Sequence, residues 1–207
     1  MSSIFHTILN TITGSLDVPV VILLVLLLAF AVFSVGWILV EHFTEHRHMK
    51  VCLPQLLDEL RADPADRAGL IEKSSLLARQ KEALLELTRH PAFTDVMRGS
   101  LAENLLAREQ AFYDLRLKRT DLTAKLAPMF GLLGTLIPLG PGILALGQGD
   151  TFTLSVSLRT AFDTTIAGLV VAAVCLVIST IRRRWYRGYM ADLETLTDCV
   201  LELEAGK

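Results

Sequence analysis

Two apolar stretches of this chain, 127–146 and 154–181, carry polar groups at spacings that chemistry could use. The first contains Gly131-Leu132-Leu133-Gly134-Thr135. The second contains Arg159, Thr160 and the run Asp163-Thr164-Thr165 ahead of Gly168. Lipid offers such groups no partner, so ionisable side chains at membrane depth are functional candidates. A helix advances about 100° per residue, which puts Arg159 and Asp163 on one face where they can pair. That pair has two readings, a fastener between subunits or a direct part in ion passage. Thr165 lies on another face with Ala161, Gly168 and Ala172, and Thr164 points in a third direction. The Thr165 hydroxyl either lines a narrow polar path or bonds back to a carbonyl one turn earlier. Gly131, Gly134 and Gly168 permit close helix packing.

Only a short polar turn, Gly147-Gln148-Gly149-Asp150, separates the two stretches. They must therefore form an antiparallel hairpin, in which residues equidistant from the turn share a depth. Thr135 and Thr165 each lie fifteen residues from Asp150. Two hydroxyls at one level, on helices rich in small residues, suggest a path for ions. Pro128, Pro138 and Pro141 should kink or loosen the first of these helices.

Other chemistries find no support. No serine or histidine stands in a nucleophile–base arrangement, and no phosphate-binding glycine loop ends in lysine. Cys52, Cys175 and Cys199 are too scattered for a zinc site or a disulfide framework. His42 and His46 could share a helical face but lack a third ligand. The expectation is no enzyme, no cofactor and no metal. A net charge of -2 gives no reason to expect nucleic acid.

The elements that hold these residues are membrane helices. Hydrophobic residues make up 52% of the chain and mean hydropathy is +0.47, too apolar for an ordinary soluble domain. A further run, 18–40, is interrupted only by Pro19, Ser34 and Gly36, long enough at about 1.5 Å per residue to cross a hydrocarbon core of about 30 Å. It lacks both a basic leader and a small-residue cleavage site, so it reads as a retained span rather than a signal peptide. Lysine and arginine are absent before residue 40 and from the hairpin turn. Arg47 and Lys50 follow the first span, Lys118, Arg119 and Lys125 precede the second, and Arg182, Arg183, Arg184 and Arg187 follow the third. All of these basic flanks fall on one side, which the positive-inside rule makes cytoplasmic.

The predicted organisation is all-α. An extracytoplasmic segment (1–17) leads into transmembrane helix 1 (18–40), with the N-terminus outside, and a cytoplasmic helical domain follows (41–125). Transmembrane helix 2 (126–147), a short outer loop (148–153) and transmembrane helix 3 (154–181) come next, then a cytoplasmic C-terminal helix (182–207). Leu53, Leu56, Leu57 and Leu60 continue the period of the first span into the cytoplasm. Asp63-Pro64 and His90-Pro91 interrupt the helical pattern. Leu70, Ile71, Leu76, Leu77, Leu84 and Leu85 stripe the helix between them, and Ser100 with Glu103 fits a capping box for the next. Trp185, Tyr189, Leu193, Leu196, Val200 and Leu203 stripe a helix that should run on from the third span and pack in a cytoplasmic bundle.

These features together resemble the MotA/TolQ/ExbB proton channel family. The resemblance rests on the topology, on 127–135 (Ala-Pro-Met-Phe-Gly-Leu-Leu-Gly-Thr) and on 161–170 (Ala-Phe-Asp-Thr-Thr-Ile-Ala-Gly-Leu-Val). Chain length and the single short hairpin loop favour the ExbB/TolQ branch. The resemblance implies an inner-membrane homo-oligomer, a pentamer, surrounding the spans of a single-span ExbD-, TolR- or MotB-like partner whose aspartate binds and releases the ion. It implies that Thr135 and Thr165 line the path, and that proton or sodium flow drives mechanical work. Where ExbB-like chains often carry glutamate, this chain has Thr160. The rival expectation is an oligomeric membrane scaffold or signalling protein that conducts nothing.

Overall fold

The computed structural model describes residues 2–43, 53–62, 67–89 and 93–205. Among the described residues there are six helices and no strand: α1 (Ser2–Glu41), α2 (Leu53–Ala62), α3 (Arg67–Lys73), α4 (Ala78–Thr88), α5 (Asp95–Gly147) and α6 (Thr151–Ala205). The three long ones, α1, α5 and α6, each hold a stretch long and apolar enough to cross a membrane. The chain divides into two compact units, one of Met1–Trp37 with Lys118–Thr180, the other of Ile38–Leu117 with Ile181–Lys207.

In the first unit the hairpin of α5 and α6 is joined to α1 by small and branched apolar side chains. Ala31 packs with Ala127, Val171 and Cys175, and Val20 and Leu24 pack with Ile137 and Phe130. With lipid on the outside there is no hydrophobic gain in burying these faces. Van der Waals fit between small residues holds them together instead. The outward faces stay apolar and open, as at Val25, Phe33, Leu136, Phe162 and Ile166.

The second unit has a water-soluble type of core. Leu56 and Leu60 of α2, Ile71 of α3, Leu84 and Leu87 of α4 and Ala102 of α5 enclose Leu193, Leu196 and Val200 of α6. The stripe expected beyond the third span is thus buried where its period places it. Beside it Tyr113, Tyr186 and Tyr189 form an aromatic cluster with Leu117. Gln80, buried at the start of α4, accepts the Leu77 N–H at 3.2 Å and donates to the Tyr189 carbonyl at 3.0 Å. One side chain so serves a helix end and a tertiary contact.

The helices differ from the sequence expectations in three places. Helix extends from Ser2 through the 1–17 segment, to which the sequence assigns no helix. The 67–88 stretch is two helices, because Ser74-Ser75 interrupts it and the Ser74 hydroxyl takes the Ile71 carbonyl at 2.6 Å. Ser100 is no cap: α5 already begins at Asp95, and the Ser100 hydroxyl donates to the Val96 carbonyl at 3.1 Å. The expected join between the first span and the helix at 53–60, the interruptions at Asp63-Pro64 and His90-Pro91, and His46 all fall on residues outside those described.

Candidate ion path in the α5–α6 hairpin

The hairpin turn is built by local chemistry. Gly149 adopts φ +80°, a conformation other residues resist. Its N–H donates to Leu146 at 3.0 Å, and the Asp150 N–H reaches back to Ala145 at 2.9 Å. These are the two bonds of a Schellman closure. Asp150 then opens α6, its carboxylate accepting the Thr153 N–H at 3.0 Å and the Thr153 hydroxyl at 2.5 Å. Those bonds hold the Asp150 carboxyl below its usual range. One short segment therefore ends α5 and starts α6, which fixes the register of everything beneath it.

That register is read from the glycines. A Cβ on Gly142 would stand 2.9 Å from the Ser157 Cβ, and one on Gly134 would stand 2.8 Å from the Thr164 Cβ. Gly131 lies against the backbone of Thr164, Thr165 and Gly168, and a Cβ on Gly168 would meet the Ala127 carbonyl oxygen at 2.6 Å. All these partners mirror each other about the turn. Thr135 and Thr165 accordingly stand at closely matching depths, both half-buried.

The hydroxyls differ in their commitments. Thr135 donates to the Leu132 carbonyl at 2.7 Å and Thr160 to Val156 at 3.1 Å. Thr164 is shared between the carbonyls of Thr160 (3.1 Å) and Ala161 (2.9 Å), its side chain set against Gly134 within the hairpin. Among the described residues Thr165 makes no such bond. The back-bonded alternative, weighed for Thr165, is what Thr135, Thr160 and Thr164 adopt.

Arg159 Nε lies 3.9 Å from the Asp163 carboxylate, with side chains 87% and 70% exposed. The pair is four residues apart on one helix, so it joins no two elements of this chain.

Sequence reasoning missed two polar clusters. Glu41, at the end of α1, is buried; it accepts Arg182 Nε at 3.0 Å and the Tyr186 hydroxyl at 2.7 Å, with Arg116 4.0 Å away. The available signal was an acid directly following a long apolar run, which needs a counter-charge. In the hairpin, the buried Ser179 donates to the Asp121 carboxylate. The signal there was spacing, since Asp121 and Ser179 are as far from Thr135 and Thr165, respectively, as each other.

The sequence profile of the MotA/TolQ/ExbB proton channel family matches residues 72–195. No curated protein and no solved structure matches the chain. The match spans more than half of the chain and includes both apolar stretches of the hairpin and its turn, so the chain belongs to the MotA/TolQ/ExbB proton channel family. That is a family of channel subunits rather than enzymes, and this member is a multi-pass protein of the inner membrane.

Proposed function

We propose that this member of the proton channel family is the channel and stator subunit of an ion-driven motor. Copies of it, five in the arrangement the family implies, surround a single-span ExbD-, TolR- or MotB-like partner, and proton or sodium flow through the assembly does mechanical work. Thr135 and Thr165 line the path. Thr164, Gly131, Gly134 and Gly168 hold the hairpin closed behind them. Arg159 and Asp163 face a neighbouring subunit or the outer mouth of the path, and Thr160 occupies the same outer half.

The observation that carries this reading is the contrast inside the hairpin. Two hydroxyls fall at matching levels beside a tightly packed seam, while Arg159 and Asp163 are exposed on the single chain. An ion pair facing lipid would be expensive, so that face needs protein or water against it. The test is ion uptake into vesicles carrying the protein with its single-span partner. Thr135→Val and Thr165→Val should each lower uptake several-fold while the complex still assembles. Unchanged uptake in both would remove the path from this hairpin.

A further inference from the structure

Asp121 and Ser179 stand in the same unit as the threonines, on the same two helices. Each lies fourteen residues from its threonine, Asp121 before Thr135 on α5 and Ser179 after Thr165 on α6. Fourteen residues fall about 40° short of four full turns, at about 21 Å along the axis. The pair therefore lies on nearly the same strip of the hairpin as the threonines, towards its inner end. Midway between the levels are Pro128 and Ala172, both half-buried. Pro128 has no N–H to give the Ala124 carbonyl, which therefore lacks its ordinary helical donor.

We propose that Asp121 is the inner ion-exchange carboxylate of this path, with Ser179 positioning it. The proposal rests on the hairpin being the ion path. Asp121 is half-buried and Ser179 is 3% exposed, so the hydroxyl is a dedicated partner of the carboxylate rather than a surface group. An ion leaving the threonine level reaches Asp121, which takes up one proton or binds one cation. It then releases one to cytoplasmic water and returns to the carboxylate form. The hydroxyl holds the carboxylate across the seam and so keeps it on the strip. The rival role is a mere fastener between α5 and α6.

An amide separates the two roles. Asp121→Asn keeps an oxygen that can accept from Ser179, so a fastener survives, but it can neither carry a proton nor neutralise a cation. In vesicles carrying the assembled complex, uptake is read with a pH-sensitive dye and, separately, with radioactive sodium. Asp121→Asn should cut the conducted ion's uptake roughly tenfold or more, with assembly and melting temperature unchanged. Asp121→Glu should keep most of the flux. Wild-type flux in Asp121→Asn overturns the proposal, and so does loss of the assembled complex in that variant, since the fastener alone would then explain the residue. Thr135→Val and Thr165→Val in the same preparation keep the failures apart. If they block and Asp121→Asn conducts, the path stands and its inner carboxylate is elsewhere. If they conduct unchanged, both readings fall.

Discussion

Glu41 shows how much one residue can bind together. Its carboxylate gathers a guanidinium and a phenol from α6, with a second guanidinium from α5 close by. Arg116 in turn lies over the Phe112 ring, which also carries Arg79, and Arg79 makes a two-pronged bond to the buried Glu109 at 2.7 and 3.0 Å. That bond raises the Arg79 pKa above its already high value. Removing one member of a buried ion pair strands the other, at a cost of about 3–5 kcal/mol. Glu41→Ala should therefore lower unfolding stability by that order in detergent, measured by denaturant titration. Tyr186 supplies a pH signature. Burial, and then the hydrogen bond and charge of Glu41, push its phenol well above the usual range. Its contribution is complete below the unfolded tyrosine value of about 10 and is lost as pH rises beyond it. Melting temperature should fall from about pH 10 upward, and Tyr186→Phe should flatten that fall.

At the scale of elements, the hairpin is a seam in which glycine is required at some positions and optional at others. At Gly168 the added Cβ would meet Ala127 oxygen at 2.6 Å and Gly131 Cα at 3.0 Å, which is backbone that cannot turn aside. Gly140 has nothing within 4 Å. Gly168→Ala should cost about 1–3 kcal/mol of hairpin stability, whereas Gly140→Ala should be neutral or slightly stabilising. Thermal unfolding of the two purified variants compares them directly. The elements themselves were legible because long apolar runs and a four-residue turn leave few alternatives, and the helical period of 185–203 located its buried face. Helix starts were less legible. The Ser100 motif is a valid start signal, yet α5 begins upstream at Asp95, so residue 100 sits inside a helix already under way. The division of labour among hydroxyls was hidden as well. Thr164 and Thr165 are adjacent in sequence, and only the approach of Gly134 decides which of them is pinned in the seam.

For the whole molecule, the distribution of basic residues sets an orientation. By the positive-inside rule, a reporter fused at Gly149 should lie outside and one at Lys207 inside. Cysteine labelling with a membrane-impermeant reagent should modify the exposed turn residue 148, after Gln148→Cys, in intact cells; labelling only after lysis would reverse the topology. The family-level function was readable because its two motifs lie in the spans, where composition is restricted and each hydroxyl stands out. Glu41 and Asp121 were harder to read, because their partners are distant in sequence and an acid at a membrane boundary looks like ordinary solvated charge.

The separation between Glu41 and its partners also sets a timetable for the nascent chain. Arg182 follows Glu41 by 141 residues. At about 5–20 residues per second, synthesis leaves the first helix waiting roughly 7–28 s for that counter-charge. Arg116 arrives about halfway through the interval, as the ribosome completes the segment before the second span. Throughout the wait the acid must stay hydrated, which keeps the end of α1 at the water boundary and stops the helix from sliding inward. The last-made helix then closes the site, so a chain released before residue 182 would leave Glu41 without its closest cation.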